Sequence, residues 1–188
     1  NIARLAESLL PLIHEDQASA VNLATEAVNQ FSSIYENKWL KMMRSKIGLA
    51  TEEAEDLTLI SDLCHWMQEN AADYTNTFLH LTYDTSHTSQ LHMQDTFQNW
   101  CQRWKKRLLR ENNQPKERMD LMQKNNPAII PRNHQVEQAL SSATDGNLSS
   151  FHSLLQALNN PYNNSHELES YQCPPKPHQR IKNTFCGT

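Results

Sequence analysis

Apolar residues recur along this chain at spacings of three and four, the period of helices that are apolar on one side. Ile2, Leu5, Leu9 and Leu12 predict a first helix from about Ile2 to Ile13. Asp16 is the candidate cap of a long second helix, in which Ala20, Ala24, Val28, Phe31, Tyr35, Trp39, Met42 and Ile47 form one stripe ending at Gly48. A third helix has Leu57, Ile60, Leu63, Cys64 and Met67 on its inner face, with Thr51 as its expected cap. Glu52, Glu53, Glu55 and Asp56 place negative charge at its start, where the helix dipole favours it. A short fourth helix is expected over Asp73 to Leu81, followed by a Thr-, Ser- and His-rich loop from Tyr83 to Gln90.

Phe97, Trp100, Cys101, Trp104 and Leu108 then mark another helix. Arg103, Lys105, Lys106, Arg107 and Arg110 read as its solvated side and end. Pro115 opens the next helix at a first-turn position where proline is tolerated, with Met119 and Met122 facing inward. The stretch Asn125-Asn126-Pro127-Ala128-Ile129-Ile130-Pro131-Arg132-Asn133-His134 organises the second half. Each proline pushes its preceding residue toward extended geometry, and three apolar residues between them predict a crossing that packs down. Its Arg132 and His134 are candidate ligand contacts if the crossing is more than a connection. Asn133 is the expected cap of a helix carrying Val136, Ala139 and Leu140, and Ser149 that of a last one carrying Phe151, Leu154, Leu155 and Leu158.

From Pro161 the composition turns to Asn, Ser and Pro, which predicts an extended tail over 161–188. No segment alternates as a strand would, so the fold class is all-α, with about eight helices in 1–160 and no fixed repeat.

Composition narrows the chemistry. Only three glycines occur in 188 residues, Gly48, Gly146 and Gly187. No G-x-G-x-x-G, G-x-x-x-x-G-K-[ST] or G-x-S-x-G can be written with them, so the chain has no standard phosphate loop or nucleophile elbow of its own. The formal charge is −4. With no nucleic-acid motif of known geometry, the acidic balance argues against a nucleic-acid partner. No apolar run approaches the ~20 residues that span a bilayer, so no membrane partner is expected. The chain begins at Asn1 without Met, and a piece of a longer or processed polypeptide is expected.

No C-x-x-C pair is present among Cys64, Cys101, Cys173 and Cys186. The pattern suits a reducing compartment, and the N-x-S matches at Asn147 and Asn163 are then fortuitous. Cys64 and Cys101 fall in helical patterns as small core residues. His80, His87 and His92 are the densest histidines, but no carboxylate at ligand spacing accompanies them, and no metal site is expected. Cys186 is either an inert tail cysteine or a redox handle, with Arg180 and Lys182 favouring its thiolate.

Several segments, in order, are similar to one family. They are Asn1-Ile2-Ala3-Arg4-Leu5-Ala6 with Leu9-Leu10-Pro11-Leu12-Ile13, Met43-Arg44-Ser45-Lys46-Ile47-Gly48-Leu49, Thr51-Glu52-Glu53-Ala54-Glu55-Asp56, Asp73-Tyr74-Thr75-Asn76-Thr77-Phe78, the crossing at Asn126-Pro127-Ala128 with Pro131-Arg132-Asn133, and Thr184-Phe185-Cys186-Gly187-Thr188. Together they resemble the C-terminal portion of selenoprotein O, in a cysteine-containing member.

The resemblance implies the C-terminal helical part of a protein-kinase-like fold. The full-length protein would transfer AMP from ATP, with magnesium, to Ser, Thr or Tyr hydroxyls of protein substrates. The family's nucleotide-holding lysine, acidic and asparagine metal ligands and Gly-rich loop precede the position of Asn1. No catalytic, cofactor-binding or metal residue is therefore carried onto this chain, which would neither bind ATP nor act alone. It would pack on the upstream kinase-like lobes. The family places selenocysteine or cysteine third from its C-terminus, where Cys186 stands, which makes Cys186 the redox candidate, with its partner cysteine upstream. A cytoplasmic location follows for a bacterial-type member and a mitochondrial one for a eukaryotic member. The competing reading is a helical protein-interaction domain without chemistry.

Overall fold

A computed structural model describes residues 1–85 and 93–180. Among these residues every regular element is helical, and the chain divides into two compact units, Asn1–Met43 and Arg44–Thr188.

The first unit holds α1 (Ile2–Ile13), α2 (Gln17–Asn29) and most of α3 (Phe31–Lys46). α1 and α2 pack as a hairpin. Asp16 caps α2 as expected, accepting from the Ser19 amide at 2.9 Å. The single long helix predicted from Asp16 is two helices, because the Gln30 amide turns back to the Val28 carbonyl and α3 starts afresh at Phe31. The break interrupts the stripe. Ala20 and Ala24 are buried, whereas Phe31, Tyr35 and Met42 are exposed.

The second unit holds α4 (Asp56–Glu69), α5 (Tyr74–Tyr83), α6 (Asp95–Leu108), α7 (Pro115–Asn125), α8 (Asn133–Thr144), α9 (Ser149–Leu158) and a short α10 (Glu169–Gln172). α4 packs on α6. Phe97 is fully buried, its ring 4.5 Å from that of Trp66. The buried indoles keep partners, Trp100 donating to the Leu59 carbonyl and Trp104 to the Ile47 carbonyl, both at 2.8 Å. Those bonds fix the two tryptophans as well as bury them. Gly48 ends α3 at φ +79°, and a Cβ there would lie 2.6 Å from Arg118 Cγ. Both the left-handed turn and the close approach therefore require glycine.

The Pro-bounded crossing packs down as predicted. Ala128 and Ile129 are buried with Leu79 and Ala157. Their amides donate to the Pro161 carbonyl at 2.8 and 3.0 Å. That anchors the start of the tail, whose described part includes short helical turns rather than running extended throughout, with Leu168 and Tyr171 packed on the same cluster.

The caps differ from expectation at three places. α4 begins at Asp56, not after Thr51, because the Thr51 amide and hydroxyl are held by Glu111. Asn133 lies inside α8, and the cap position belongs to Arg132, whose side chain is paired elsewhere. Ser149 is the first residue of α9, and its amide donates to Asn147 Oδ1. Five residues placed on the apolar stripes of these helices, Leu57, Met119, Leu140, Phe151 and Leu155, are exposed.

Candidate functional site

The most concentrated chemistry of the second unit is a buried knot of charge between α3, α4 and α6. Asp56, the first residue of α4, has no exposed surface. It accepts from Arg44 Nε at 2.8 Å, Arg107 Nε at 2.7 Å and the Glu53 amide at 2.9 Å. Arg107, 2% exposed, also donates from Nη1 to Glu111 Oε1 at 2.7 Å and from Nη2 to the Thr51 carbonyl at 3.1 Å. Glu111 in turn accepts from the Thr51 hydroxyl at 2.6 Å and the Ala50 amide at 3.0 Å.

The buried members balance, two arginines against Asp56 and Glu111. Outside them, Glu53 pairs with Arg110 at 2.7 Å and Arg44 with Glu52 at 3.0 Å. Burial alone would raise the Asp56 carboxyl, but hydrogen bonds from Arg107, the Glu53 amide and Arg44 outweigh it and hold it below its ordinary value. Glu111 is likewise lowered, burial being outweighed by the Thr51 hydroxyl, the Ala50 amide and Arg107. Removing two charges from water is costly unless their remaining hydrogen-bonding capacity is filled, and here protein groups fill it.

Two further pairings lock the crossing. Arg132 grips Asp73 with both terminal nitrogens, at 2.7 and 3.0 Å, and reaches Asn76 Oδ1 at 3.1 Å. Asp73 also caps α5 through the Asn76 amide at 2.9 Å. Asn126 and Lys46 hold each other. Lys46 Nζ donates to Asn126 Oδ1 at 3.2 Å, and Asn126 Nδ2 donates to the Lys46 carbonyl at 2.8 Å. Lys46 Nζ also lies 5.0 Å from the centre of the Phe78 ring, a cation–π distance, and burial lowers its pKa.

Arg107 corrects the reading of α6. It belongs to the buried stripe, not to the solvated face. Its position one turn from Trp104 was the signal, a charge on the apolar side whose partners had to be charges on another helix's apolar side. Asp56, one turn before Ile60, carries the same signal. Nothing local pointed to the Asp73–Arg132 or Lys46–Asn126 pairs, because each joins distant parts of the chain. Arg132 is thereby tied to the fold, and His134 is half-buried beside it. His65 lies on the helix surface, 3.1 Å from Glu69. His80 Nδ1 is 2.9 Å from the Thr85 hydroxyl. His87, His92 and Cys186 lie outside the described residues, and the redox candidate is thus not placed. Among the described residues no cluster of His, Cys, Asp or Glu is arranged to hold a metal ion, and no helix is long and apolar enough to cross a membrane. Cys101 is buried, which pushes its thiol up to about 11, burial raises the Cys64 thiol, and Cys173 is exposed.

The arrangement is that of a helical scaffold whose buried charges are committed to one another. A family model described as protein adenylyltransferase SelO matches residues 1–159. All of the chain aligns, at 44% identity, with the protein nucleotidyltransferase YdiU of a Bacillus cereus strain, of which it covers 39%. It is also 44% identical to the protein of that name from Anoxybacillus flavithermus, covering 38%, and 43% identical to that from Bacillus thuringiensis, covering 39%. The chain belongs to the SelO family. It spans about two fifths of the length of these curated relatives.

Proposed function

We propose that the full-length protein carrying this chain is a protein adenylyltransferase. It transfers AMP from ATP, with magnesium, to Ser, Thr or Tyr hydroxyls of other proteins. The observation that carries this reading is the match to the adenylyltransferase family across residues 1–159, with nucleotidyltransferase relatives aligned over the whole chain.

This chain is the supporting part of that enzyme. Residues 1–160 form the helical region that buttresses the kinase-like lobes, and 161–188 form its tail. The nucleotide and its metal are held by groups outside this chain. Two features support that division. The buried charges of the Arg107 knot already have protein partners, and the three glycines cannot write a phosphate loop. Cys186 is the residue that forms a reversible disulfide, with a cysteine outside this chain, and the enzyme works in the cytoplasm.

The test is transfer of AMP by the full-length protein. Incubated with ATP, magnesium and an acceptor protein, it should leave AMP on acceptor hydroxyls, read by mass spectrometry of tryptic peptides. Hydrolysis of ATP with no AMP on any peptide would remove the reading.

A further inference from the structure

α1 is apolar on two flanks. One flank, with Ala3, Ala6 and Leu10, lines the crease against Val21, Ala24 and Val28 of α2. The other carries Ile2, Leu5, Leu9 and Leu12 at spacings of three and four, and these are 41, 60, 39 and 83% exposed. The opposite side is polar, with Arg4 and Glu7 paired at 2.7 Å and Ser8 bonded to the Leu5 carbonyl. No residue of α1 is buried. An amphipathic helix packs its apolar side against a neighbour, and α2 meets one flank of that side.

The length of the relatives supplies the occupant. They align with all of this chain, yet the chain accounts for only 39% of the Bacillus cereus protein. In those proteins the aligned sequence sits in a polypeptide more than twice as long. We infer that the Ile2–Leu5–Leu9–Leu12 face of α1 is the docking surface for the remainder of the full-length protein, an apolar interface within one polypeptide. This deepens the proposed function and rests on its reading of the chain as part of a larger enzyme. A second copy fits less well. A twelve-residue helix is about 18 Å long, and one flank of it falls short of the roughly 800 Å² per partner typical of a stable protein–protein interface. A tethered segment instead meets the surface at high effective concentration.

The test compares cysteine alkylation of Leu12→Cys in the 188-residue chain and in the full-length protein, read by peptide mass spectrometry. Leu109→Cys is the control, at a position 85% exposed in the second unit. Docking predicts that Leu12→Cys reacts at least about tenfold more slowly in the full-length protein, while Leu109→Cys reacts alike in both. Hydrogen exchange of the unsubstituted α1 amides gives the same comparison without a mutation. Equal Leu12→Cys rates overturn the inference. So does protection that develops in the 188-residue chain as its concentration rises, which would assign the face to a second copy. AMP transfer is measured separately. A protected α1 in a protein that transfers no AMP leaves the docking surface standing and removes the adenylyltransferase reading.

Discussion

Arg107 Nε donates to Asp56 Oδ1 at 2.7 Å where the two residues are 2% and 0% exposed. Removing one partner of such a pair strands a charge out of water. Arg107→Met should therefore destabilise the chain by about 3–5 kcal/mol. Arg107→Lys should restore little of this, because an ammonium cannot fork between Asp56 and Glu111. Urea midpoints check both, and a loss under about 1 kcal/mol for Arg107→Met would contradict the pairing.

The same knot and the separate Asp73–Arg132 pair set a pH dependence. Asp56, Glu111 and Asp73 all have lowered pKa values in the folded chain. A carboxyl that binds protons less readily when folded adds stability above its unfolded pKa, about 4, and that stability is lost as pH falls through its folded value. The urea midpoint should hold from pH 7 to about pH 5 and then drop steadily. In Arg107→Met the drop should be shallower. Equal slopes in the two proteins would show that the knot does not titrate with folding.

Asn133 and Asp73 should respond differently to truncation. Asn133→Ala should change stability by less than about 0.5 kcal/mol, since Asn133 lies inside α8 without capping it. Asp73→Ala should cost about 2 kcal/mol or more, through loss of the α5 cap and a stranded Arg132. A destabilising Asn133→Ala beside a neutral Asp73→Ala would reverse the assignment.

Which of these features were legible in the sequence follows from their range. The Phe97, Trp100, Trp104 and Leu108 stripe needs only helical spacing, and all four are buried. Asp16 announces its helix because capping is local. Thr51 and Asn133 look like caps for the same local reason, yet Thr51 is drawn to Glu111 and the α8 cap position falls to Arg132. Tertiary pairing outcompeted the local option. The spacing of Ile2, Leu5, Leu9 and Leu12 marks an apolar face of α1, but spacing alone does not say what covers it.

Thiol reactivity should follow burial. Among the three described cysteines, Cys173 should label first under alkylation at neutral pH, Cys64 more slowly and Cys101 last, because the raised pKa values of the Cys64 and Cys101 thiols leave little thiolate. Peptide mapping over time gives the order, and Cys101 labelling ahead of Cys173 would contradict the buried α6 stripe.

The central claim is that this chain supports a nucleotide site held elsewhere in the full-length protein. Calorimetric titration of the 188-residue chain with ATP and magnesium tests it most directly. The account predicts no saturable heat, while the full-length protein titrates to saturation. Micromolar binding by the 188-residue chain itself would contradict it.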